Sequence, residues 1–432
     1  MKNVKIGLIG FGTIGAGVVK ILADNADVIR QRLGATLEIG KIADLDITTD
    51  RGVQVESGVL TTDTEAVLND PEIEVVIELI GGYEPARSFV LQAIQNGKHV
   101  VTANKALLAK HGEEIFSAAD EKGVGIGFEA AVGGAIPIIR SLREAFSANR
   151  ISVIEGIVNG TANYILSKMS DENCDFKTAL QEAQEKGYAE ADPTFDIEGI
   201  DSAHKIAILT RLAYGAPISL DEITIQGITS ITTEDIECAR EFGYRIKLLA
   251  ISKFDGKFID VRVHPAMIRE NNPMANVNGV LNAIRVCDDL MEENILVGHG
   301  AGALPTGAAV VGDVIEIVRN SLIGAGTRVP AQSFQKTTPI PFKNMDEIEA
   351  EYFLRFRVKD VPMVLARISG ILGNHSISIE SMIQKGRDDN GKGVPLVMMV
   401  HRSNEKNVQD ALAEIDLLDV VCEKSHLIRV EN

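Results

Sequence analysis

The sequence predicts an α/β protein in three parts: a parallel sheet flanked by helices, a mixed α+β region, and a ferredoxin-like βαββαβ unit at the C-terminus. Three features predict it. From Val4 to about residue 135, short apolar runs alternate with helical patterns. The first run leads straight into Gly10-Phe11-Gly12-Thr13-Ile14-Gly15, a glycine loop that opens a helix. Between Ile323 and Asn344 the periodicity fades around Pro330, Pro339 and Pro341, as in a linker. The parts so bounded are 1–135 together with about 300–322, then 136–299, a linker over 323–350, and 351–432.

Val4–Ile9 is apolar enough for a strand buried on both faces, and Ile14, Val18, Val19 and Leu22 follow at helical spacing. Leu37–Ala43 is the second strand. Glu74–Ile80 is the third, bounded by Gly81 and Gly82. A helix starts near Pro85, a residue suited to a first helical position, and stops at Gly97. Lys98–Thr102 is a strand, Ala106–Glu121 a helix ended by Gly123, and Gly125–Ala130 closes the parallel series. In the middle part Ser152–Val158 and Ile259–His264 read as strands; Ala179–Lys186, Asp201–Arg211 and Thr233–Leu248 read as helices. At Gly298–Asp313 a second glycine loop opens a helix that returns the chain to the first part. Past the linker the order is strand Glu351–Val358, helix Pro362–Asn374, strand Ser376–Gln384, strand Pro395–His401, helix Lys406–Ile415, and strand-like residues over Asp419–Val430.

With 432 residues, 45% hydrophobic and 24% charged, the chain has room for several cores and is not disordered as a whole. Its 61 acidic against 43 basic residues give a net charge of -18, which excludes a general binder of nucleic acid or anionic membrane. No run approaches the roughly twenty apolar residues of a spanning helix, and Met1–Lys5 passes directly into a strand instead of a leader peptide. A cytoplasmic location is expected. Cys174, Cys238, Cys287 and Cys422 form no CxxC pair, so reduced structural thiols are expected, with no zinc, cluster or disulfide frame.

The Gly10–Gly15 loop fits GxGxxG in the context that gives the pattern meaning, after a strand and at a helix start. Glycine is needed there because the backbone turns tightly and approaches a pyrophosphate, while the helix N-terminus offers N–H groups and a partial positive charge. This marks a Rossmann-like dinucleotide site. Asp44, at the end of the second strand, favours NAD by accepting from ribose hydroxyls, whereas nearby Arg51 suits the 2′-phosphate of NADP; the sequence leaves the cofactor as NAD or NADP.

The densest chemistry lies in Gly187–Lys205, GYAEADPTFDIEGIDSAHK. Glu190, Asp192, Asp196 and Asp201 gather before Lys205, and Pro193 breaks any helix, so Glu190 and Asp196 fall on a structured loop and Asp201 opens a helix. Asp201 and Lys205 stand at i,i+4 on one face. That spacing fits a surface ion pair worth about 0.3–0.5 kcal/mol, and equally a carboxylate orienting a lysine that exchanges a proton with a reacting oxygen.

This segment, with GFGTIG at Gly10–Gly15, ANKALLA at Ala103–Ala109, EAAVGGAIPII at Glu129–Ile139, NGTANYIL at Asn159–Leu166 and GHGAGALPTGAAV at Gly298–Val310, resembles the homoserine dehydrogenases over essentially the whole chain. The resemblance implies reversible, NAD(P)-dependent interconversion of L-aspartate 4-semialdehyde and L-homoserine, in threonine and methionine biosynthesis. It implies Lys205 as the proton donor and acceptor, Asp201 as its neighbouring carboxylate, and Lys105 as a second lysine where cofactor and substrate meet. Glu190, Asp196 and Asp201 match substrate-binding acids, which suits an ammonium-bearing substrate, and Gly160 and Thr161 match a loop lining the site. Besides Gly10, Phe11, Gly12, Thr13, Ile14, Gly15, Asp44 and Arg51, the implied cofactor contacts include Thr102, Lys105, Gly187 and Gly302. A monovalent cation such as sodium is implied at Glu129, Val132, Gly134 and Ile136, mostly on backbone oxygens.

Residues 351–430 resemble an ACT domain through Asp360-Val361-Pro362, Val364-Leu365 and Ile377–Gln384. That implies dimerisation or tetramerisation through side-by-side sheets and an amino-acid effector, threonine for this family. One departure stands out: Met363 occupies the place of the usual glycine after Asp-x-Pro, where its side chain is expected to fill the effector pocket. Two other readings compete. A semialdehyde dehydrogenase that oxidises aldehydes needs a nucleophilic cysteine, yet Cys174 and Cys287 have acidic neighbours. A non-catalytic amino-acid regulator would not need the Glu190, Asp201 and Lys205 set. His204 is expected to pack or hydrogen-bond, and His299 lies in a glycine loop within reach of a cofactor.

Overall fold

The computed structural model describes residues 1–384 and 393–431; residues 385–392 and 432 of the C-terminal unit lie outside the described residues. The backbone divides into two compact units. The first comprises Met1–Gly160, Asp201–Ile223 and Val280–Ile340; the second comprises Thr161–Ile200, Thr224–Gly279 and Pro341–Asn432. Among the described residues no helix is long and apolar enough to cross a membrane.

The parallel sheet of the first unit has six strands: β1 (Asn3–Ile9), β2 (Thr36–Ala43), β3 (Leu60–Thr61), β4 (Ile73–Glu78), β5 (His99–Thr102) and β6 (Ile126–Gly127). They lie in the order β3-β2-β1-β4-β5-β6, with parallel pairing throughout. Ile6 and Leu8 of β1 share a core with Ile42, Val75, Ile77 and Val101 from other strands of the sheet, so the inner strands read as continuous apolar runs. Helix Ala303–Leu322 belongs to this unit and packs closely on helix Thr13–Asp24. A Cβ on Gly17 would stand 2.4 Å from the Ala303 carbonyl oxygen, so only glycine permits that approach. An antiparallel trio, Ile151–Ile157, Leu281–Asp288 and Glu292–His299, completes the unit.

In the second unit Tyr244–Phe254 and Ile259–Arg269 form an antiparallel hairpin. Strand His426–Val430 adds to Ile259–Arg269 in parallel. The ladder then continues through Glu349–Val358, Val394–Asn404 and Ile379–Gln384, each pair antiparallel. Helices Val364–Asn374 and Glu405–Ile415 contribute Ile368, Leu372, Val408 and Leu412 to a core with Tyr352, Leu354, Phe356 and Met398. This is the expected ferredoxin-like βαββαβ unit.

Several expected elements differ. The helix over 233–248 ends at Glu241; Gly243 turns the chain at φ +78°, and Tyr244–Phe254 is a strand. That strand is buried on both faces, so it lacks the alternation that separates strand from helix. Gly125–Ala130 pairs only over Ile126–Gly127, after which Glu129–Ala131 forms a 3-10 turn. Pro85 precedes helix Ala86–Gln95 as its N-cap, and Asp196 lies in a short helix, Thr194–Ile197. Helix Gly160–Glu172 and the hairpin over 281–299 were not anticipated.

Met363 is the N-cap of helix Val364–Asn374, with φ +73° in the left-handed region that favours glycine. Its side chain is 69% exposed.

Candidate active site

In an open parallel sheet the strands end on loops where ligands collect, and here β1, β4 and β5 end on Gly10–Gly15, Glu78–Gly82 and Thr102–Lys105. The glycine loop separates packing from access. A Cβ on Gly10, at φ +100°, would meet the Leu79 carbonyl carbon at 2.7 Å; one on Gly15 would meet the Gly10 oxygen at 2.3 Å. A Cβ on Gly12 would meet nothing within 4 Å. Gly10 and Gly15 are therefore fixed by the turn, while Gly12 leaves open the side a pyrophosphate approaches. Helix Thr13–Asp24 begins there with no side-chain cap, so its N-terminal partial charge is available to an anion. These features fit a dinucleotide. Gly10 and Gly12 line a cleft of about 510 Å³ with Asp44, Thr62, Ile80 and Glu84.

The two residues that bear on cofactor choice behave differently. The Asp44 carboxylate accepts from the Phe11 N–H at 2.5 Å, tying the end of β2 to the glycine loop. Arg51 donates to Asp46 at 3.0 Å.

At the end of β4, buried Glu78 accepts from the Thr102 hydroxyl at 2.6 Å and from the N–H groups of Ile80 and Gly81. Burial, only partly offset by these bonds, raises its carboxyl above the usual range. Thr102 in turn accepts from the Asn104 N–H. The Asn104 side chain accepts from Leu107 N–H and so caps helix Lys105–Lys122, while donating to the Gly82 carbonyl. These bonds hold the first residue of that helix, Lys105, in register with the strand ends.

Lys105 meets the lysine–aspartate pair. Its Nζ lies 3.1 Å from Asp201 Oδ1, while Lys205 Nζ lies 2.7 Å from Asp201 Oδ2. Lys205 also donates to the Val158 carbonyl at 2.6 Å, and Asn159 donates to Asp201 Oδ2 at 2.9 Å. Asp201 and Lys205 are 5% and 10% exposed, Lys105 36%. Burial alone would raise Asp201, but the Lys205 and Lys105 ammonium groups, with the bonds from Lys205 and Asn159, hold its carboxyl well below the ordinary range. Asp201 is thus a fixed anion between two lysines. Such a cluster has a net positive charge suited to an oxygen that gains negative charge. A solvated surface pair is excluded by the burial. Burial keeps the neighbouring His204 below the ordinary imidazole value despite Asp201.

Gly160 of the first unit tolerates no side chain, since its Cβ would lie 2.9 Å from the Val280 oxygen. Gly302 precedes helix Ala303–Leu322 at φ +123°. In the second unit the Thr161 hydroxyl donates to the Tyr188 carbonyl at 2.6 Å, and Gly187 turns at φ +72° after helix Phe176–Glu185. Glu190 is exposed and Asp196 half-buried.

Of the implied cation ligands, Glu129 is buried, and its two carboxylate oxygens accept from the N–H groups of Ile139 and Arg140. Burial nevertheless raises its carboxyl. Gly133 and Gly134 turn at φ +72° and +53°. Among the described residues no three His, Cys, Asp or Glu side chains gather as for a divalent metal. One carboxylate beside a tight carbonyl-bearing turn fits a monovalent ion instead.

Burial pushes the Cys174 and Cys287 thiols up, the reverse of what a nucleophilic thiolate needs. His299 is exposed, and its carbonyl accepts from the Ala135 N–H. Sequence reasoning assigned no role to Glu78, Asn104 or Asn159. The signal for Glu78 was an acid closing an apolar strand ahead of two glycines.

Residues 137–315 match the homoserine dehydrogenase family, residues 10–129 its NAD-binding domain, and residues 352–416 the ACT domain. The chain is 45% identical to the homoserine dehydrogenase of Neisseria gonorrhoeae, covering 100% of this chain and 99% of the relative. A crystal structure of a homoserine dehydrogenase from Thiobacillus denitrificans matches with a TM-score of 0.94 at 46% identity, covering 100% of this chain and 99% of that one. A hyperthermophilic archaeal homoserine dehydrogenase in complex with NADPH matches with a TM-score of 0.63 at 29% identity, over 73% of this chain and 97% of that one.

Proposed function

This chain belongs to the homoserine dehydrogenase family, and from that premise we propose that Lys205, held by Asp201, exchanges a proton with the C4 oxygen of the substrate. The family is an NAD(P)-dependent oxidoreductase that interconverts L-homoserine and L-aspartate 4-semialdehyde. When bound, the nicotinamide supplies or accepts the hydride at C4. The Lys205–Asp201–Lys105 cluster is the observation that carries the assignment. Toward homoserine, the Lys205 ammonium stabilises the oxygen as charge develops and donates its proton. Toward the aldehyde, Lys205 takes that proton back. Asp201 fixes the ammonium, and Lys105 adds positive charge where cofactor and substrate meet.

Glu190 and Asp196 bind the substrate ammonium, beside a loop that includes Gly160 and Thr161. Gly10–Gly15, Thr102, Gly187 and Gly302 hold the dinucleotide. Glu129, Val132, Gly134 and Ile136 would hold sodium or another monovalent cation, whose charge would offset the buried carboxylate there. The domain assignment follows: dinucleotide binding in 1–135 with about 300–322, substrate binding and dimerisation in 136–299, a linker over 323–350 and regulation in 351–432. The ACT match supports a homodimer or homotetramer with threonine as effector, acting on threonine, methionine and isoleucine biosynthesis. Cytoplasmic residence belongs to the same proposal.

A steady-state assay of the full chain with homoserine and each of NAD and NADP, in the presence of sodium, tests the reading. Formation of reduced cofactor is expected. Absence of turnover with both, from protein that binds a dinucleotide, would overturn it.

A further inference from the structure

The two nicotinamide cofactors differ by one phosphate on the adenosine ribose, and the cleft beside the glycine loop is poorly built to receive it. Its charged lining residues are Asp44 and Glu84, both acids; among the described residues no lysine or arginine lines it. Asp44 directly follows β2, the position from which a carboxylate accepts from ribose hydroxyls. Its orientation is fixed at both oxygens: Oδ2 accepts from Phe11 N–H at 2.5 Å and Oδ1 from Asp46 N–H at 2.8 Å. The next residue, Leu45, is apolar and 96% exposed, so it offers nothing to a phosphate.

The cation of this loop, Arg51, does not line the cleft. Arg51 pairs with Asp46 at 3.0 Å, and Asp46 is itself held by the N–H groups of Thr48 and Thr49 and by the Thr48 hydroxyl. A 2′-phosphate, carrying nearly two negative charges, would meet the Asp44 carboxylate with no cation in the cleft lining to offset it. A ribose diol would meet an acceptor. We infer that this chain selects NAD over NADP, with Asp44 as the specificity-determining residue. The inference rests on the dinucleotide reading of the glycine loop and sharpens it.

The test is direct binding. NADH and NADPH are titrated into the full chain, followed by nicotinamide fluorescence and calorimetry, alongside rates with NAD and NADP. NADPH is expected to bind at least ~100-fold more weakly than NADH. Asp44→Asn keeps the side-chain shape and the oxygen that accepts from Phe11, and is expected to narrow the ratio at least ~10-fold. Leu45→Arg adds a cation at a fully solvated position that the fold does not depend on; it is expected to raise NADPH affinity alone. NADPH binding within ~3-fold of NADH in the unaltered chain overturns the inference, as does a ratio that neither substitution moves. Failure of both dinucleotides to bind overturns the dinucleotide reading and this inference with it.

Discussion

Asp201 Oδ2 and Lys205 Nζ lie 2.7 Å apart, one helical turn from each other and almost wholly buried. A pair in that setting holds its geometry without the side-chain entropy cost of a surface ion pair, because helix Ile200–Tyr214 is itself buried along nearly its whole length. Lys205→Ala is expected to lower turnover by about 10²–10⁴-fold, the range for loss of a general acid–base. NADH affinity, measured by fluorescence titration, should stay within about twofold. Near-normal turnover in a folded Lys205→Ala protein would remove Lys205 from the reaction.

The glycine loop predicts two different failures. Gly15→Ala forces a Cβ against backbone, 2.3 Å from the Gly10 oxygen, so thermal stability should fall together with dinucleotide binding. Gly12→Val should fold with an unchanged melting temperature and yet bind dinucleotide at least ~10-fold more weakly, since its side chain enters open space. Equal melting temperatures for both variants would contradict this division.

Met363 holds a left-handed backbone that costs an L-residue about 1–2 kcal/mol. With its side chain mostly in solvent, Met363→Gly loses little packing and should raise the stability of the chain by up to about 1 kcal/mol in denaturant unfolding. The same variant opens a threonine test: inhibition that appears or strengthens in it would mean that the methionine restricts the effector site.

Lys247 is buried and donates to the Val277 carbonyl and to the side-chain oxygens of Asn163 and Asn278. Burial, with the nearby Arg245 guanidinium, brings it down to about 7. Between about pH 7 and pH 10 the unfolded chain therefore keeps a proton that the folded chain has released. The unaltered chain should gain up to about 1.4 kcal/mol per pH unit over Lys247→Met across that window, read by unfolding at pH 7.5, 8.5 and 9.5. A difference that stays flat would show a lysine that is charged in the folded state.

Much of this was legible in the chain. The parallel sheet announced itself through apolar runs broken by glycine, and i,i+4 spacing joined Asp201 to Lys205 before any coordinates. Lys105 was harder: nothing local connects it to Asp201, and only the resemblance named it. Glu78, Asn104 and Asn159 act through bonds to backbone or to residues distant in sequence, which periodicity does not register. Tyr244–Phe254 escaped for another reason, since a strand covered on both sides shows the same unbroken apolar run as a buried helix.

The close seat of helix Ala303–Leu322 on helix Thr13–Asp24 also bears on how the protein is made. The nucleotide cradle leaves the ribosome well before that helix: Val18 and Leu22 share a core with Val310 and Val314, which emerge nearly three hundred residues later. During synthesis the glycine-loop helix therefore waits with an apolar flank uncovered. A ribosome stalled anywhere short of about residue 322 displays a greasy, unfinished unit. Chaperone engagement of such nascent chains should persist through most of translation and end abruptly once that late helix is released.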